Sequence, residues 1–189
     1  MRKNARARRL LTVPTVFVAG GILLLPAPAR AELATSAAAD APRISGASFQ
    51  IRNVQTGKCA TIAGGTLPDN NLKMVQFDCD TDASRRWNLI DFDGDSYQIS
   101  NAKTGKCMTI AGGTLPDNNL EMVQFTCDSD PSRRYRVADW NGSSYQLVNV
   151  KTGKCATIAG GTLSDNNLEM VQFTCDSDPS RRWVLRLAG

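Results

Sequence analysis

A repeat of 48 residues constrains the fold of this chain more than any other feature of its sequence. The six cysteines fall into two sets of three, and within each set neighbouring cysteines are 48 residues apart. Thirty of the 32 positions from Lys103 to Arg134 recur unchanged 48 residues later. The copies span residues 46–93, 94–141 and 142–189. Three equal units without insertions predict one domain built by threefold repetition.

Each repeat carries signals for short β-strands and no helical periodicity. In the first copy, SFQIRN and WNLIDF alternate apolar with polar residues, whereas CATI and MVQFDC are short apolar runs. Turn-forming residues separate these runs, including Gly64-Gly65 and Pro68-Asp69-Asn70-Asn71. Four strands in each of three copies give about twelve strands.

Three four-stranded units favour a β-trefoil, an all-β fold with pseudo-threefold symmetry. A solenoid or a propeller normally needs more copies, because three would leave exposed sheet edges or an unclosed ring. In a trefoil, three hairpins cap a six-stranded barrel, and each copy supplies one third of a shared core. The predicted core residues are Phe49, Ile51, Ile62, Val75, Leu89 and the residues 48 and 96 positions after each of them.

The N-terminal part of the chain has the pattern of an export signal. Five basic residues between positions 2 and 9 precede an apolar run from Leu10 to Leu25 and then Ala29-Arg30-Ala31. We predict a signal peptide at 1–31 and a flexible Ala-, Ser- and Thr-rich linker at 32–45. The domain at 46–189 is then secreted, extracellular and free of the membrane; an uncleaved anchor is the alternative.

Net charge gives no support for a nucleic-acid partner once the signal is removed. Residues 1–31 carry six of the 22 basic residues and none of the 18 acidic ones. The remaining chain has 16 basic against 18 acidic residues, a net charge of −2. Because nucleic-acid binding depends on basic residues that neutralise phosphates, we expect no such partner.

Six cysteines in an exported chain indicate disulfides rather than thiol chemistry. Six cysteines allow 15 connectivities. The arrangement that respects the repeat joins Cys59 to Cys79, Cys107 to Cys127 and Cys155 to Cys175. Each bridge would close a loop of about 20 residues and stabilise the domain by roughly 3 kcal/mol.

Enzymatic chemistry has little support in this composition. The chain contains no histidine, which removes the usual general base, the serine and cysteine triads and most zinc sites. Asp80 and Asp82 form a D-x-D spacing in every copy, but calcium needs six to eight oxygen ligands, so pairing with Arg85 or Arg86 is favoured. We predict no catalytic residue, no metal and no cofactor.

Three short motifs recur in each copy: N-x-x-T-G-K-C at Asn53 to Cys59, V-Q-F-x-C ending at Cys79, and a closing aromatic at Trp87. Together they resemble the motifs of the ricin B-chain type lectin domains. The resemblance covers about 46–189. It implies a non-catalytic carbohydrate-binding module, a monomer with up to three shallow sites for a polysaccharide or glycan.

The residues that such a site would use are only partly present. The family's aromatic, two residues before the second cysteine, is Phe77, whereas its usual aspartate, two residues after the first cysteine, is Thr61. Asp69 and Asn70 offer further hydrogen-bonding groups, although a tight turn also favours them. The predicted carbohydrate-binding residues are Thr61, Asp69, Asn70, Phe77, Thr109, Asp117, Asn118, Phe125, Thr157, Asp165, Asn166 and Phe173.

Two other functions compete with this prediction. The missing aspartate also fits a protein-interaction module or protease inhibitor whose sugar sites have decayed. A domain that stabilises an extracellular protein and has no ligand is the third alternative. An inhibitor would usually present one special loop, and the loops of the three copies are alike.

Overall fold

A computed structural model describes residues 47–65, 67–113 and 115–188. The predicted signal peptide (1–31), the whole of the predicted linker (32–45) and the boundary between linker and domain lie outside these residues. Within them the chain forms twelve β-strands and three short 3-10 turns, at Ala83–Arg85, Pro131–Arg133 and Pro179–Arg181. No helix among the described residues has the length and apolar character of a membrane span.

Every repeat contributes four strands, as the alternation of apolar residues predicts. In chain order they are β1 (Ser48–Asn53), β2 (Cys59–Ile62), β3 (Met74–Phe77), β4 (Trp87–Ile90), β5 (Tyr97–Asn101), β6 (Cys107–Ile110), β7 (Met122–Phe125), β8 (Arg134–Ala138), β9 (Gln146–Asn149), β10 (Cys155–Ile158), β11 (Met170–Phe173) and β12 (Trp183–Leu187).

Six of the strands close into an antiparallel barrel. The order around it is β1, β4, β5, β8, β9 and β12. Tyr145 and Trp183 join β9 to β12 through reciprocal backbone hydrogen bonds of 2.9 and 2.8 Å, and β12 pairs with β1 over five residues from Phe49 to Asn53. The predicted β-trefoil is therefore confirmed.

Three hairpins, β2–β3, β6–β7 and β10–β11, complete the trefoil. Their second strands meet each other through single bridges, such as Lys73 to Val123 and Val75 to Glu169. At this meeting point the Lys73 ammonium lies 2.7 Å from a Glu121 oxygen and 2.6 Å from a Glu169 oxygen. These three side chains occupy equivalent positions in the three repeats, so they lie around the pseudo-threefold axis.

The disulfides follow the repeat. Bonds join Cys59 to Cys79, Cys107 to Cys127 and Cys155 to Cys175, each across 20 residues. No described cysteine is free. The symmetric pairing predicted from the spacing is confirmed.

Most of the predicted core residues are buried together in the barrel. Phe49, Ile51, Ile62 and Leu89 belong to one cluster. Their counterparts in that cluster are Tyr97, Ile99, Ile110, Leu147 and Ile158. Val137 and Leu185 are only partly buried against it, and Tyr145 is half-buried.

Val75 is buried, as predicted, but it lies outside the central cluster of the barrel. Val75 is 4% exposed but does not belong to the central cluster, and Val123 and Val171 behave in the same way. Residues alternate between the two faces of a strand, and Met74, immediately before Val75, takes the core position. The core also contains large residues that were not predicted: Met122, Met170, Trp87, Tyr135, Trp183 and Met108.

Candidate functional site

Each repeat has a pocket between its hairpin and its 3-10 turn. The pocket of the first repeat has a volume of about 350 Å³, and those of the second and third have about 290 and 300 Å³. Ten lining positions are shared by all three pockets, and all ten carry the same residue type in each. In the first pocket these residues are Thr61, Ile62, Gly64, Gly65, Val75, Phe77, Asp82, Ser84, Arg85 and, from the third repeat, Asn167.

Thr61 lines the pocket, but its hydroxyl is already engaged. Thr61 is 3% exposed. Its Oγ1 donates to the Ser84 carbonyl oxygen at 3.1 Å and lies 3.2 Å from Ser84 Oγ. Thr109 and Thr157 make the same contacts with Ser132 and Ser180. Thr61 therefore fastens the 3-10 turn to the hairpin.

Phe77 also lines the pocket, and an arginine covers one face of its ring. The guanidinium carbon of Arg85 lies 4.4 Å from the ring centroid. Asp80 holds this guanidinium from the other side, with Nη1 3.1 Å from Oδ1. The equivalent pairs, Arg133 over Phe125 and Arg181 over Phe173, have distances of 4.5 Å. This aromatic is thus a support for the arginine.

A carboxylate enters each pocket from a position that the sequence did not single out as a binding residue. Asp82 is the N-cap of the 3-10 turn, and its Oδ1 accepts a hydrogen bond of 2.8 Å from the Ser84 backbone N–H. That hydrogen bond lowers the pKa of the Asp82 carboxyl to about 2. The side chain is still 42% exposed, so an ionised acceptor faces solvent in the pocket.

The turn that contains Asp69 and Asn70 does not lie in the pocket of its own repeat. It extends to the next repeat, where Gln124 Nε2 donates to the Asp69 carbonyl oxygen at 2.7 Å. Asn70 Oδ1 accepts from the backbone N–H of Thr126 at 2.9 Å. The structure therefore separates these two residues from Thr61 and Phe77.

The other two turns cross to a neighbouring repeat in the same way. The turn with Asp117 and Asn118 contacts Gln172 and Thr174. The turn with Asp165 and Asn166 contacts Gln76 and Asp78 of the first repeat. As a result, an asparagine from another repeat completes each pocket. It is Asn167 in the first pocket, Asn71 in the second and Asn119 in the third.

These asparagines have a backbone conformation that explains their place at the end of the turn. Asn71, Asn119 and Asn167 have φ of 65°, 66° and 69°, a left-handed region that asparagine tolerates better than most residues. The sequence predicts a turn at Asp-Asn-Asn, and the structure shows that the last asparagine of this turn adopts the left-handed conformation. Nothing within one repeat indicated which pocket it reaches.

The D-x-D aspartates pair with arginine, as predicted. Arg85, Arg133 and Arg181 lie 3.1, 2.9 and 3.0 Å from Asp80, Asp128 and Asp176. Across residues 47–65, 67–113 and 115–188, no group of three or more His, Cys, Asp or Glu side chains is arranged to hold a metal ion.

Comparison with known proteins gives a family match and a set of similar folds. The sequence matches the family described as ricin-type beta-trefoil lectin domain-like over residues 40–125 and 131–189. No curated protein matches this chain significantly in sequence.

Three solved structures illustrate the similarity of fold. A designed threefold-symmetric protein, ThreeFoil, is 14% identical, with a TM-score of 0.69 over 74% of this chain and 97% of its own. A Macrolepiota procera ricin B-like lectin in complex with lactose is 13% identical, with a TM-score of 0.63 over 76% and 97%. An exo-β-1,3-galactanase from Clostridium thermocellum is 19% identical, with a TM-score of 0.71 over 76% of this chain but only 30% of that enzyme.

Proposed function

Because this chain belongs to the ricin-type β-trefoil lectin domain-like family, we propose that it binds a polysaccharide or glycan, without catalysis, at its three equivalent pockets. The relative from Macrolepiota procera, a lectin of the same fold, was solved with lactose. The other relatives include an enzyme of which this chain matches less than a third. The proposal therefore concerns binding alone.

The observation that carries this proposal is the identity of the pocket walls. Ten lining positions have the same residue in all three repeats. Because the three walls are chemically equivalent, a ligand that fits one pocket fits all three, and the chain presents three copies of one site.

The shape of the pockets favours weak single sites and stronger binding to repeated ligands. An open pocket of about 300 Å³ buries only part of a sugar ring, and a Kd of about 1 mM corresponds to roughly −4 kcal/mol. Three such sites on one rigid body raise the apparent affinity for a polymer without any new contact. The ligand is therefore expected to present the same sugar many times.

A glycan array and polysaccharide pull-downs with the purified protein test the proposal. The triple variant Phe77→Ala, Phe125→Ala and Phe173→Ala removes the support of the pocket arginines and should lower retention at least about tenfold. The matched control, Phe92→Ala with Trp140→Ala, removes aromatics that are 47% and 48% exposed outside the pockets and should bind normally. No retention on any glycan, or equal retention by both variants, contradicts the proposal.

The domain organisation and the location are part of the same proposal. Three disulfides in a small domain are typical of oxidising compartments. We propose that residues 1–31 are removed on export, that 32–45 is a linker, and that the domain is secreted as a monomer. Mass spectrometry of the exported protein should find an N-terminus near residue 32; a full-length chain retained in the cell would contradict this.

A further inference from the structure

We propose that Asp82, Asp130 and Asp178 are the acceptors for sugar hydroxyls in the three pockets, and that the ligand is a neutral sugar with adjacent hydroxyl groups. This inference rests on the proposed carbohydrate binding and names the residues that determine its specificity. It also assigns Thr61, Thr109 and Thr157 to the support of the site.

The hydroxyl groups of the first pocket are already engaged, whereas the Asp82 carboxylate can still accept hydrogen bonds. Thr61 Oγ1 is buried and bonded to Ser84, and Ser84 is itself only 3% exposed. A carboxylate offers about four lone-pair sites. The Ser84 N–H donates to Oδ1 of Asp82, and the half-exposed side chain retains sites that face the pocket.

A hydrogen-bond donor, the guanidinium of the pocket arginine, lies beside that acceptor. Arg85 has five N–H donors in a rigid fork, and Asp80 engages Nη1 at 3.1 Å. In the second and third pockets, Arg133 and Arg181 approach the N-cap carboxylate itself, at 3.6 Å from Asp130 and 3.3 Å from Asp178. An acceptor next to a donor matches two neighbouring hydroxyl groups, because each hydroxyl both donates and accepts.

The pocket arginine lies over one face of the phenylalanine ring. In all three pockets the guanidinium carbon lies 4.4 to 4.5 Å from the phenylalanine centroid. This face of the ring is therefore unavailable to a sugar. A sugar in the pocket contacts the guanidinium plane, and recognition depends on polar groups more than on stacking.

The charge balance beside the third pocket opposes an acidic sugar. Asp80 and Asp82 face Arg85 in the first pocket, where Lys103 adds a second positive charge 3.5 Å from Asp82. The residue equivalent to Lys103 near the second pocket is Lys151, but near the third it is Gln55. Beside the third pocket two carboxylates thus pair with one arginine, and a uronate bound there would meet net negative charge.

Substitution of aspartate by asparagine tests the acceptor without removing the cap. Asparagine caps a helical turn about as well as aspartate, so the triple variant Asp82→Asn, Asp130→Asn and Asp178→Asn should fold with an unchanged thermal midpoint. The control triple variant changes Asp91, Asp95 and Asp139 to Asn, because these exposed carboxylates also pair with arginines but lie outside the pockets.

The probes are immobilised pairs that differ only in one carboxylate: galactose and galacturonate, glucose and glucuronate, mannose and mannuronate. We expect the wild-type protein to retain at least one neutral member at least about tenfold better than its uronate. The Asp82/130/178 variant should bind that neutral sugar about tenfold more weakly, whereas the Asp91/95/139 variant should change it less than about threefold.

The possible failures are distinct. If the wild-type protein retains no neutral or acidic sugar, the proposed function itself is overturned. If it retains sugars and the Asp82/130/178 variant binds them equally well, or if uronates are preferred, the acceptor assignment is overturned and carbohydrate binding stands. Should the triple variant be unstable, the single variant Asp178→Asn gives the same decision when free neutral sugar is titrated, because one of the three equivalent sites should then bind about tenfold more weakly.

Discussion

The interior of the barrel and the three pockets differ in how they tolerate variation between repeats. Equivalent core positions carry Ala60, Met108 and Ala156, or Trp87, Tyr135 and Trp183. Equivalent pocket positions carry one residue type each. Packing depends on total volume, which two neighbours can share, whereas a polar pocket group such as the Thr61 hydroxyl needs partners at hydrogen-bond distance. Some core positions can therefore vary, although others, such as Met74, Met122 and Met170, do not.

The second repeat shows how volume is shared in the core. The Trp87 indole N–H donates to the Ala60 carbonyl oxygen at 2.9 Å, and Trp183 does the same to Ala156. The second repeat has a smaller ring, Tyr135, at the tryptophan position and a larger side chain, Met108, at the alanine position. Both are fully buried, so the exchange conserves the filled volume.

The substitution with the largest predicted effect removes the large Met108 side chain that compensates for the smaller ring of Tyr135. Met108→Ala should lower the free energy of unfolding by about 2–5 kcal/mol because it leaves a cavity beside the smaller ring. Adding Tyr135→Trp, which recreates the arrangement of the first repeat, should recover at least about 1 kcal/mol. Urea unfolding of the two single variants and the double variant measures the coupling.

Tyr135→Trp alone serves as the control, because it overpacks the site and should cost about 1–3 kcal/mol. Strictly additive effects of the two substitutions would show that Met108 and Tyr135 do not share volume. Sugar retention per folded molecule should be the same in all of these variants.

A second prediction uses the titration of the core. Burial raises the pKa of the Tyr135 phenol above its usual 10.0. The folded protein keeps this proton at a pH where the unfolded chain loses it. Stability from this group is therefore complete below pH 10 and falls by about 1.4 kcal/mol per pH unit above it.

Unfolding at pH 9 and pH 11 in the wild type and in Tyr135→Phe measures this difference. The phenylalanine variant keeps the ring and the other ionisable groups, so its stability should fall less between the two pH values. Equal losses in both proteins would exclude Tyr135 as the source of the alkaline effect.

A third prediction concerns two neighbouring pocket glycines. Gly64 and Gly65 both have a left-handed backbone, with φ of 75° and 60°. An added Cβ at Gly64 meets no atom within 4 Å, whereas at Gly65 it lies 3.4 Å from Ser84 Oγ. Gly64→Ala should cost about 1 kcal/mol for the backbone alone, and Gly65→Ala should cost more and also weaken sugar retention.

Thermal unfolding and sugar retention of the two alanine variants decide this prediction. Gly64→Ala is the control for the backbone term, since its side chain enters open space. If both variants bind sugar like the wild type, Ser84 and the 3-10 turn have no role in the shape of the pocket.

The smallest predicted effect lies on the acid side and belongs to the pockets. The pKa of Asp82 is lowered from 3.8 to about 2, chiefly by the Ser84 backbone hydrogen bond. Its contribution is present above pH 3.8 and is lost as the pH falls through about 2. Because the carboxyl is 42% exposed, each site should contribute less than about 1 kcal/mol.

Acid unfolding of the Asp82/130/178 triple asparagine variant, compared with the wild type, measures this contribution. The variant should lose less stability between pH 4 and pH 2. Sugar retention by the wild type should stay constant from pH 8 to pH 4, since the carboxylates remain ionised throughout that range. A steeper acid transition in the variant would contradict the assignment.

Much of the fold could be predicted because the relevant signals repeat. The spacing of the cysteines indicated both the threefold symmetry and the disulfide pairs, and alternation marked the strands. The face of a strand was harder to assign: Val75 and Met74 are adjacent apolar residues, and alternation alone does not say which one faces the barrel. Trp87 is predicted only as the closing aromatic of a motif, whereas its side chain fills the core.

The site was only half predictable for a different reason. Thr61 and Phe77 lie on paired strands of one hairpin, so local sequence brings them together. The turn with Asn70 reaches across to another repeat, and identical repeats conceal which copy contacts which. In the sequence, Asp82 is recognisable only as part of the D-x-D spacing. No sequence pattern distinguishes an N-cap aspartate that faces a pocket from one that does not.

The contacts at the threefold axis have a consequence for the origin of such a chain. Turns that reach from each repeat to another and close after three copies are the head-to-tail interfaces of a rotational oligomer, so three separate copies of one repeat could in principle form the same ring. A ring of identical protomers, however, places the same charge three times at its axis. Fusion into one chain permits Lys73 between Glu121 and Glu169, an arrangement of unlike charges that strict symmetry forbids.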